Sequence, residues 1–309
     1  MIYTVTLNPA LDKTVQLPSF RLDTVNRITA LRTDPGGKGL NVSKVLRELG
    51  EKSVAAAILG GTTGQKIANQ LEKLGIEGLY VFTEHETRTN LKVVDPVLHT
   101  NTDINEPGEP VGEAVLQALL EQLTARLQCG DLVVLSGRAP AGAPQTLYRD
   151  WILACQARGA AVFLDAEGAL LAQGVQAKPA LIKPNQDELA GIVGRPLTCE
   201  RETLDAAQAL LAQGVQCVAV TMGAGGALLC WEDCILRCES PRVEVISTVG
   251  AGDSVVAALA YARQNGLSRE DSARLAMATG AANVTCSGSQ AAERAAIEAL
   301  LPQVRLTRL

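Results

Sequence analysis

Residues 247–261 read STVGAGDSVVAALAY, in which small residues and one acid lead directly into an apolar, alanine-rich segment. Small residues such as Gly250, Ala251 and Gly252 let successive backbone N–H groups converge, and a helix that begins there adds the positive end of its dipole. Such a turn cradles an anion. Asp253 lies on the first helical turn, where its carboxylate could accept a proton from a nearby hydroxyl group. The pattern suits phosphoryl transfer, although an ordinary acidic helix N-terminus has the same local composition.

Strand-like and helix-like segments alternate along most of the chain on the N-terminal side of this stretch. From residue 112 onward, helical patterns lead into short apolar runs at 132–135, 162–164 and 218–220. This alternation predicts an α/β fold with a doubly wound, mostly parallel sheet flanked by helices. Residues 252–301 are predicted to be nearly all helix. The length of 309 residues, 47% of them apolar, predicts a single domain that spans residues 1–309.

Two segments are too polar for the core of such a sheet. Residues 13–34 and 79–105 alternate polar and apolar side chains in short strand-like runs, for example at Asn26–Thr29. We expect these segments to pair into a small separate sheet that acts as a lid. Asp12 follows the first predicted strand, residues 1–7. It is therefore expected at the carboxyl edge of the main sheet, where open α/β sheets bind their ligands.

Charge and composition argue against several classes of function. The formal net charge of −5, without an extended basic run, argues against nucleic-acid binding. The N-terminus lacks the features of a signal peptide and no apolar run reaches membrane-spanning length, so a cytoplasmic protein without membrane association is expected. The eight scattered cysteines are expected to be reduced core thiols. Only His85 and His99 are present, which argues against histidine-centred catalysis and zinc sites.

A glycine-rich turn at Gly36–Gly39 (GGKG) opens an amphipathic helix that runs through Leu49. It is not a P-loop, because Arg32 stands where a P-loop needs glycine and Gly39 where it needs serine or threonine. Two interpretations stay open at this point. The turn either contacts a small polar ligand or is only a tight connection that needs glycine.

Two further turns follow predicted strands. In Lys183–Glu188 (KPNQDE), Asn185 and Glu188 either form a helix capping box or organise water around Mg²⁺. Their spacing of three residues favours the capping box. Thr221–Gly226 (TMGAGG) continues into a strand, so it is either a hairpin turn or a loop that approaches nucleotide phosphates. The candidate cations for binding phosphate groups are Arg27, Lys38, Arg88, Arg138 and Lys183.

The order of these motifs resembles the ribokinase/phosphofructokinase B family of carbohydrate kinases nearly from end to end. The motifs that carry the resemblance are TLNPALD at 6–12, PGGKGLN at 35–41, KPN at 183–185 with Glu188, Gly223 with Gly226, and TVGAGD at 248–253. The opening motif, the GGKG form and TDINEPG at 102–108 are most similar to the fructose-1-phosphate kinase branch. The resemblance implies a ribokinase-like fold whose small sheet is a lid, which in relatives often also forms the interface of a homodimer.

The resemblance also implies a role for each matching residue. Asp253 is the expected catalytic base, and the anion hole is formed by Gly250, Ala251 and Gly252. The residues expected at the sugar are Asp12, Gly37, Lys38 and Asn41, with Arg27 and Arg88 at its phosphate. The residues expected to line ATP are Lys183, Asn185, Thr221, Gly223, Gly226 and Thr248. Mg²⁺ is expected near Asn185 and Glu188, through water.

One position departs from the branch that the chain resembles. Relatives usually read Ser-Gly-Ser where this chain has Ser136, Gly137 and Arg138, and the lost serine is a phosphate contact in them. The implied reaction is ATP-dependent phosphorylation of the primary hydroxyl of a ketose monophosphate, first of all fructose 1-phosphate to fructose 1,6-bisphosphate. Arg138 keeps a tagatose-6-phosphate kinase or a related sugar kinase open. A non-catalytic sugar-phosphate sensor is a further alternative, against which the intact GAGD motif argues.

Overall fold

The computed structural model describes all 309 residues. The apolar and alternating runs of the sequence form fourteen strands. In chain order these are β1 (Ile2–Thr6), β2 (Ala10–Gln16), β3 (Ala30–Gly36), β4 (Ser53–Gly60), β5 (Glu77–Thr83), β6 (Thr89–Asp95), β7 (Thr100–Asn105), β8 (Leu132–Ser136), β9 (Ala161–Asp165), β10 (Leu181–Ile182), β11 (Cys217–Thr221), β12 (Ala227–Trp231), β13 (Ile235–Glu239) and β14 (Arg305–Arg308).

Ten α-helices connect or follow these strands. In chain order they are α1 (Lys38–Glu48), α2 (Gly61–Lys73), α3 (Glu113–Arg126), α4 (Leu147–Gln156), α5 (Gly168–Val175), α6 (Gln186–Val193), α7 (Glu200–Ala212), α8 (Ala251–Gln264), α9 (Arg269–Asn283) and α10 (Arg294–Leu300). None of them is long and apolar enough to cross a membrane.

The main sheet has ten strands in the order β14-β13-β12-β11-β10-β9-β8-β1-β4-β5. The seven strands from β11 to β5 are parallel, and β12, β13 and β14 extend the sheet in antiparallel fashion. Helices α3 to α7 pack on one face, and α1, α2 and α8 to α10 pack on the other. The predicted α/β class, with a mostly parallel sheet between two helical layers, is confirmed.

Strand β8 shows why the parallel strands are apolar throughout. Val133 and Leu135 belong to the core under α3 to α7, whereas Leu132 and Val134 belong to the core under α1 and α8 to α10. Because both faces of the strand are covered, no position is left for a polar side chain until the strand ends. Functional polar groups are therefore confined to the strand ends and the loops that follow them.

The small sheet has the strand order β3-β2-β6-β7 and differs in extent from the predicted lid. It begins at Ala10 rather than at residue 13. Residues 17–29, where a strand at Asn26–Thr29 was predicted, form no strand. Residues 79–83 belong to β5, the edge strand of the main sheet. An edge strand leaves part of its side chains in water, and this accounts for the alternating polarity that made these residues look like part of the lid.

The C-terminal region agrees with the prediction except at its end. Residues 252–301 are mostly helical, as predicted, but the ten residues 284–293 between α9 and α10 form no helix. Strand β14 was not predicted, and it pairs with β13 over four residues, including Leu306 opposite Cys238. Its sequence, RLTR, is too short and too polar to give a strand signal, so only the neighbouring strand specifies it.

Candidate active site

Two cavities lie on either side of the turn at Val249–Gly252. The first, of about 670 Å³, is enclosed by the carboxyl ends of β1, β8 and β9, the start of α1 and the small sheet. The second, of about 710 Å³, is bordered by the turn after β11, the segment after β13 and helices α8 and α9. Gly252 lines both cavities. A group that bridges them would therefore pass across the glycine turn.

Asp253 lies at the first turn of α8 and faces the first cavity. Gly250, which precedes the helix, has a φ of 79°, a left-handed conformation that glycine adopts without steric strain. Asp253 is only 6% exposed, and its carboxylate accepts a hydrogen bond from Asn41 Nδ2 at 2.8 Å. Burial, with the nearby Asp165 carboxylate, raises the pKa of Asp253 to about 6, although Lys38, Asn41 and Lys183 oppose the shift. A carboxylate with this pKa is suited to accept a proton near neutral pH.

Asp165 is the most deeply buried of the acidic residues that line the first cavity, and the sequence analysis missed it. It ends β9, is 1% exposed, and its Oδ1 lies 3.3 Å from Lys38 Nζ and 3.2 Å from Lys183 Nζ. Burial opposes ionisation of Asp165, but the two ammonium groups hold its pKa below its usual value. One signal was available, because Asp165 is the first acid after the buried run 162–164, at the carboxyl end of a parallel strand.

Lys38 lies where the resemblance implied, whereas Lys183 does not. Lys38 lines the first cavity as expected, and Asp165 together with Asp253 raises its pKa against the effect of burial. Lys183 was expected at the nucleotide, but it also lines the first cavity and not the second. A methyl group at Gly252 would lie 3.1 Å from Lys183 Nζ, so this ammonium group lies directly beside the glycine turn.

The small sheet supplies a polar wall to the first cavity. Asn90 donates to Asp12 Oδ1 at 2.9 Å, and Arg88 donates to Asn90 Oδ1 at 3.1 Å. Arg88 also donates to the main-chain oxygen of Asn8 at 3.0 Å, and burial lowers its pKa. Lys92 lies 3.2 Å from Asp103 across the strand pair. Asn90 and Lys92 were not predicted, because alternation on a short strand does not say which face meets a ligand.

Of the two other arginines named as candidate phosphate-binding cations, the structure brings only one to this cavity. Arg138 lies behind Gly137 at the end of β8, lines the cavity, and forms an ion pair with Glu167 in which Arg138 Nε donates. Its side chain is 76% exposed. Arg27 lies in the exposed loop 17–29 and does not line the cavity. The expectation for Arg27 is therefore not met within one chain, because no strand pairing turns this loop toward the site.

The remaining predicted site residues divide between the two cavities. Gly37 and Asn41, at the start of α1, line the first cavity, and so does Gly250. The second cavity combines apolar side chains such as Met277 and Val255 with a group of the predicted residues. That group consists of Asn185, Thr221, Gly223, Gly226, Thr248 and Ala251.

Asn185 and Glu188 form the capping box that their spacing predicted. Asn185 Oδ1 accepts from the Glu188 N–H at 2.8 Å, and Glu188 Oε2 accepts from the Asn185 N–H at 2.8 Å. Each side chain still has acceptor capacity, because a carboxylate and an amide oxygen accept more than one hydrogen bond. Asn185 borders the second cavity, whereas Glu188 borders neither of the two.

A buried carboxylate beside a glycine-rich helix start, between a polar cavity and a partly apolar one, is suited to phosphoryl transfer to an alcohol. The family comparison agrees, because residues 5–296 match the model of the pfkB family carbohydrate kinases. The chain belongs to the pfkB family of carbohydrate kinases.

Individual relatives are similar over almost the whole chain. A 1-phosphofructokinase of Rhodobacter capsulatus is 40% identical over 278 residues, which cover 90% of this chain and 88% of the relative. A 1-phosphofructokinase of Bacillus subtilis (strain 168) is 35% identical over 309 residues, or 100% of both chains. The crystal structure of phosphofructokinase-2 from Escherichia coli in complex with potassium superposes with a TM-score of 0.93 at 30% identity, and 98% of each chain is covered.

Proposed function

We propose that this protein transfers the terminal phosphoryl group of ATP to the primary hydroxyl of fructose 1-phosphate, giving fructose 1,6-bisphosphate. The observation that carries the proposal is the position of Asp253, a buried carboxylate at the helix start that separates the two cavities. The relatives named as 1-phosphofructokinases support the choice of sugar. The family supports ATP as the phosphoryl donor.

In this proposal the first cavity binds the sugar phosphate. Asp12 and Asn90, which are hydrogen-bonded to each other, accept from and donate to the sugar hydroxyls. Lys38, Gly37 and Asn41 place the acceptor end of the sugar at Asp253. The existing phosphate is bound by Arg88 and Arg138, because guanidinium groups match phosphate oxygens with paired, charge-assisted hydrogen bonds. Lys92 adds a further positive charge to the same wall.

The second cavity binds ATP with its phosphates toward the glycine turn. Backbone N–H groups of Gly250, Ala251 and Gly252 stabilise the phosphoryl group as its charge redistributes, while Lys183 offsets that charge from the side of the first cavity. Asp253 accepts the proton of the attacking hydroxyl. The nucleotide is lined by Thr221, Gly223, Gly226, Thr248 and Asn185.

Mg²⁺ fits this site as an ion that arrives with the nucleotide. The chain contains no group of three or more histidine, cysteine or acidic side chains that could hold a metal ion by themselves. Mg²⁺ keeps several waters and is usually held by one or two carboxylates together with substrate phosphates. Asn185 and Glu188 would serve it through water, using the acceptor capacity that their capping box leaves free. When bound, the ion neutralises charge on the phosphates.

The small sheet is proposed to act as the lid and as a dimer interface. It and its loops carry half of the large apolar side chains that the chain exposes, and a second copy of the chain would cover them. These are Leu22, Val25, Ile28, Leu31, Val97, Leu98 and Ile104. A homodimer joined through this surface would also explain why it tolerates exposed leucine and isoleucine.

The proposal is tested by following ADP formation with ATP, Mg²⁺ and a panel of sugars. The panel contains fructose 1-phosphate, fructose 6-phosphate, tagatose 6-phosphate and fructose. We expect the highest kcat/KM for fructose 1-phosphate and a rate at least about 100-fold lower in a D253N sample purified in parallel, which controls for a contaminating kinase. Preference for tagatose 6-phosphate would support the second candidate, which Arg138, in place of the serine usual in relatives, keeps open. Binding of a sugar phosphate without turnover would instead indicate a sensor.

A further inference from the structure

A short segment after α9, residues 284–289, is tied to the small sheet by two cations. Arg32 Nη2, on β3, donates to the main-chain oxygen of Ser287 at 2.6 Å. Lys44 Nζ, on α1, donates to the main-chain oxygen of Ser289 at 2.6 Å and to that of Pro35 at 2.8 Å. Lys44 thus joins the end of β3, just before the turn at Gly37, to the segment 284–289.

Gly288, between the two carbonyl acceptors, shows how closely the segment approaches the small sheet. It has a φ of 65°, and a methyl group there would lie 2.9 Å from both Arg32 Nη2 and Thr14 Oγ1. Thr14 Oγ1 and Ser289 Oγ are buried without a hydrogen-bond partner in this contact. The contact is therefore tight, and it places residues 287–289 directly against β2 and β3 of the small sheet.

The other end of the same segment holds the glycine turn. The main-chain oxygen of Val284 accepts from the N–H of Ile246 at 2.8 Å and from that of Ser247 at 3.1 Å. Just before it, Asn283 Nδ2 donates to the main-chain oxygen of Val249 at 3.0 Å. Residues 246–249 lead directly to Gly250 and Asp253. A shift of the segment at Ser287 and Ser289 would therefore reach the glycine turn through the hydrogen bonds of Asn283 and Val284 to residues 246–249.

Lys44 is a buried cation whose ammonium group is held by main-chain oxygens of β3 and of the segment 284–289. Its side chain is buried, and burial lowers its pKa to about 8 although Asp34, Asp12 and Asp253 act in the opposite direction. Arg32 lies close enough to add to the lowering, and it is itself paired with Asp34 at 2.7 Å. A buried ammonium group that bonds two main-chain oxygens is a weak source of stability, because removing its hydration opposes the gain from the hydrogen bonds.

We propose that Arg32 and Lys44 are positioning residues that transmit the position of the small sheet, through residues 284–289, to the glycine turn at 246–252. Occupation of the first cavity by a sugar phosphate then orders the turn that receives the phosphoryl group of ATP, and the two substrates bind cooperatively. This inference rests on the proposed function, since it takes the first cavity as the sugar site and the second as the nucleotide site.

The test measures how much fructose 1-phosphate tightens the binding of a non-hydrolysable ATP analogue with Mg²⁺. In the unmodified protein we expect a tightening of about fivefold or more, within the usual range for coupled sites. R32M and K44M should reduce that factor to about twofold or less, while the affinity for the analogue alone stays within about twofold. The matched control is R294A, because Arg294 also donates to a main-chain oxygen at α1, that of Leu49 at 3.2 Å, without touching the small sheet.

An unchanged coupling factor in R32M and K44M would overturn the inference, and so would an equal loss in R294A. Arg32 is only half-buried, so R32M keeps the test decisive if K44M does not fold. Turnover of fructose 1-phosphate by the unmodified protein separates the two claims. If it turns the sugar over but shows no coupling, the inference fails and the proposed function stands. If it phosphorylates no ketose phosphate, the proposed function fails.

Discussion

Asn41 and Asp253 join the first turns of α1 and α8 through a hydrogen bond of 2.8 Å from Asn41 Nδ2 to Asp253 Oδ2. Each of the two helices begins at a glycine-rich turn, and both starts border the first cavity. The bond fixes one carboxylate oxygen and leaves Oδ1 to receive a substrate hydroxyl. It also offsets part of the effect of burial on this carboxylate.

The first prediction is that D253N lowers kcat by about 10²- to 10⁴-fold, the usual contribution of general acid–base catalysis. The loss should fall toward the lower end if proton transfer comes late in a loose transition state. Binding of ATP and of the sugar phosphate should persist, because the amide has nearly the same shape. Steady-state kinetics and calorimetric titration check both parts. A purified variant with near-normal kcat would remove Asp253 from the role of base.

The second prediction concerns the acidic side of the pH profile. Because the pKa of Asp253 is raised to about 6, kcat should fall about tenfold per pH unit below this value. The second ionisation of the substrate phosphate also lies near pH 6, so kcat at saturation is the quantity to measure. The K38M variant shows whether the Asp253 carboxylate or the substrate phosphate causes the fall in kcat. Losing Lys38 should move the descending limb to higher pH if Asp253 causes it, whereas a limb that belongs to the substrate would not move.

The third prediction is that D253N stabilises the protein at high pH. Because the folded state raises the pKa of Asp253 above its ordinary value, the folded protein holds the proton more tightly than the unfolded chain. The free energy of unfolding therefore falls as the pH rises from about 4 to about 6 and stays lower above it. Removing the charge should restore at most about 3 kcal/mol at pH 8 and little at pH 4.

Urea unfolding of D253N at the two pH values measures this difference. The control is D205N, which removes the same charge from an exposed position on α7. A D253N variant that is no more stable than D205N at pH 8 would contradict a raised pKa at position 253. If D253N is more stable than D205N at pH 8 and also has the lowered kcat of the first prediction, the Asp253 carboxylate supports catalysis at a cost in folding stability.

The parts of the site that could be predicted from the sequence are those that a local motif encodes. The turn before Asp253 and the capping box at Asn185 are read from residues within a few positions of each other. Asp165 could not be found in this way, because its partners Lys38 and Lys183 are far away in sequence and meet it only at the sheet edge. The position of Arg27 outside the first cavity of its own chain has the same origin, since the direction of an unpaired loop depends on contacts that its own residues do not specify.

The boundaries of the small sheet illustrate a second limit. Alternating polarity indicates a strand with one exposed face, but it does not say to which sheet the strand belongs. Strand β5 has this pattern because it is the edge of the main sheet, and β6 has it because it covers the first cavity. Only the pairing of β5 with β4 and of β6 with β2 separates the two cases.

The last prediction concerns Arg138 and Glu167, whose side chains are paired at the edge of the first cavity. If Arg138 binds the phosphate of the sugar, that phosphate must compete with Glu167 for the guanidinium group. R138S should therefore lower kcat/KM for fructose 1-phosphate. The loss should be about tenfold, less than for a fully buried contact, because the Arg138 side chain is 76% exposed.

E167Q should act in the opposite direction. It frees Arg138 from an exposed ion pair, whose usual strength corresponds to an increase in kcat/KM of about twofold to fivefold. Neither variant should change kcat/KM for fructose, which has no phosphate for Arg138 to bind, so the free sugar is the internal control for both. If kcat/KM for fructose 1-phosphate is the same in R138S as in the unmodified protein, Arg138 serves only the surface pair, and Arg88 and Lys92 hold the phosphate without it.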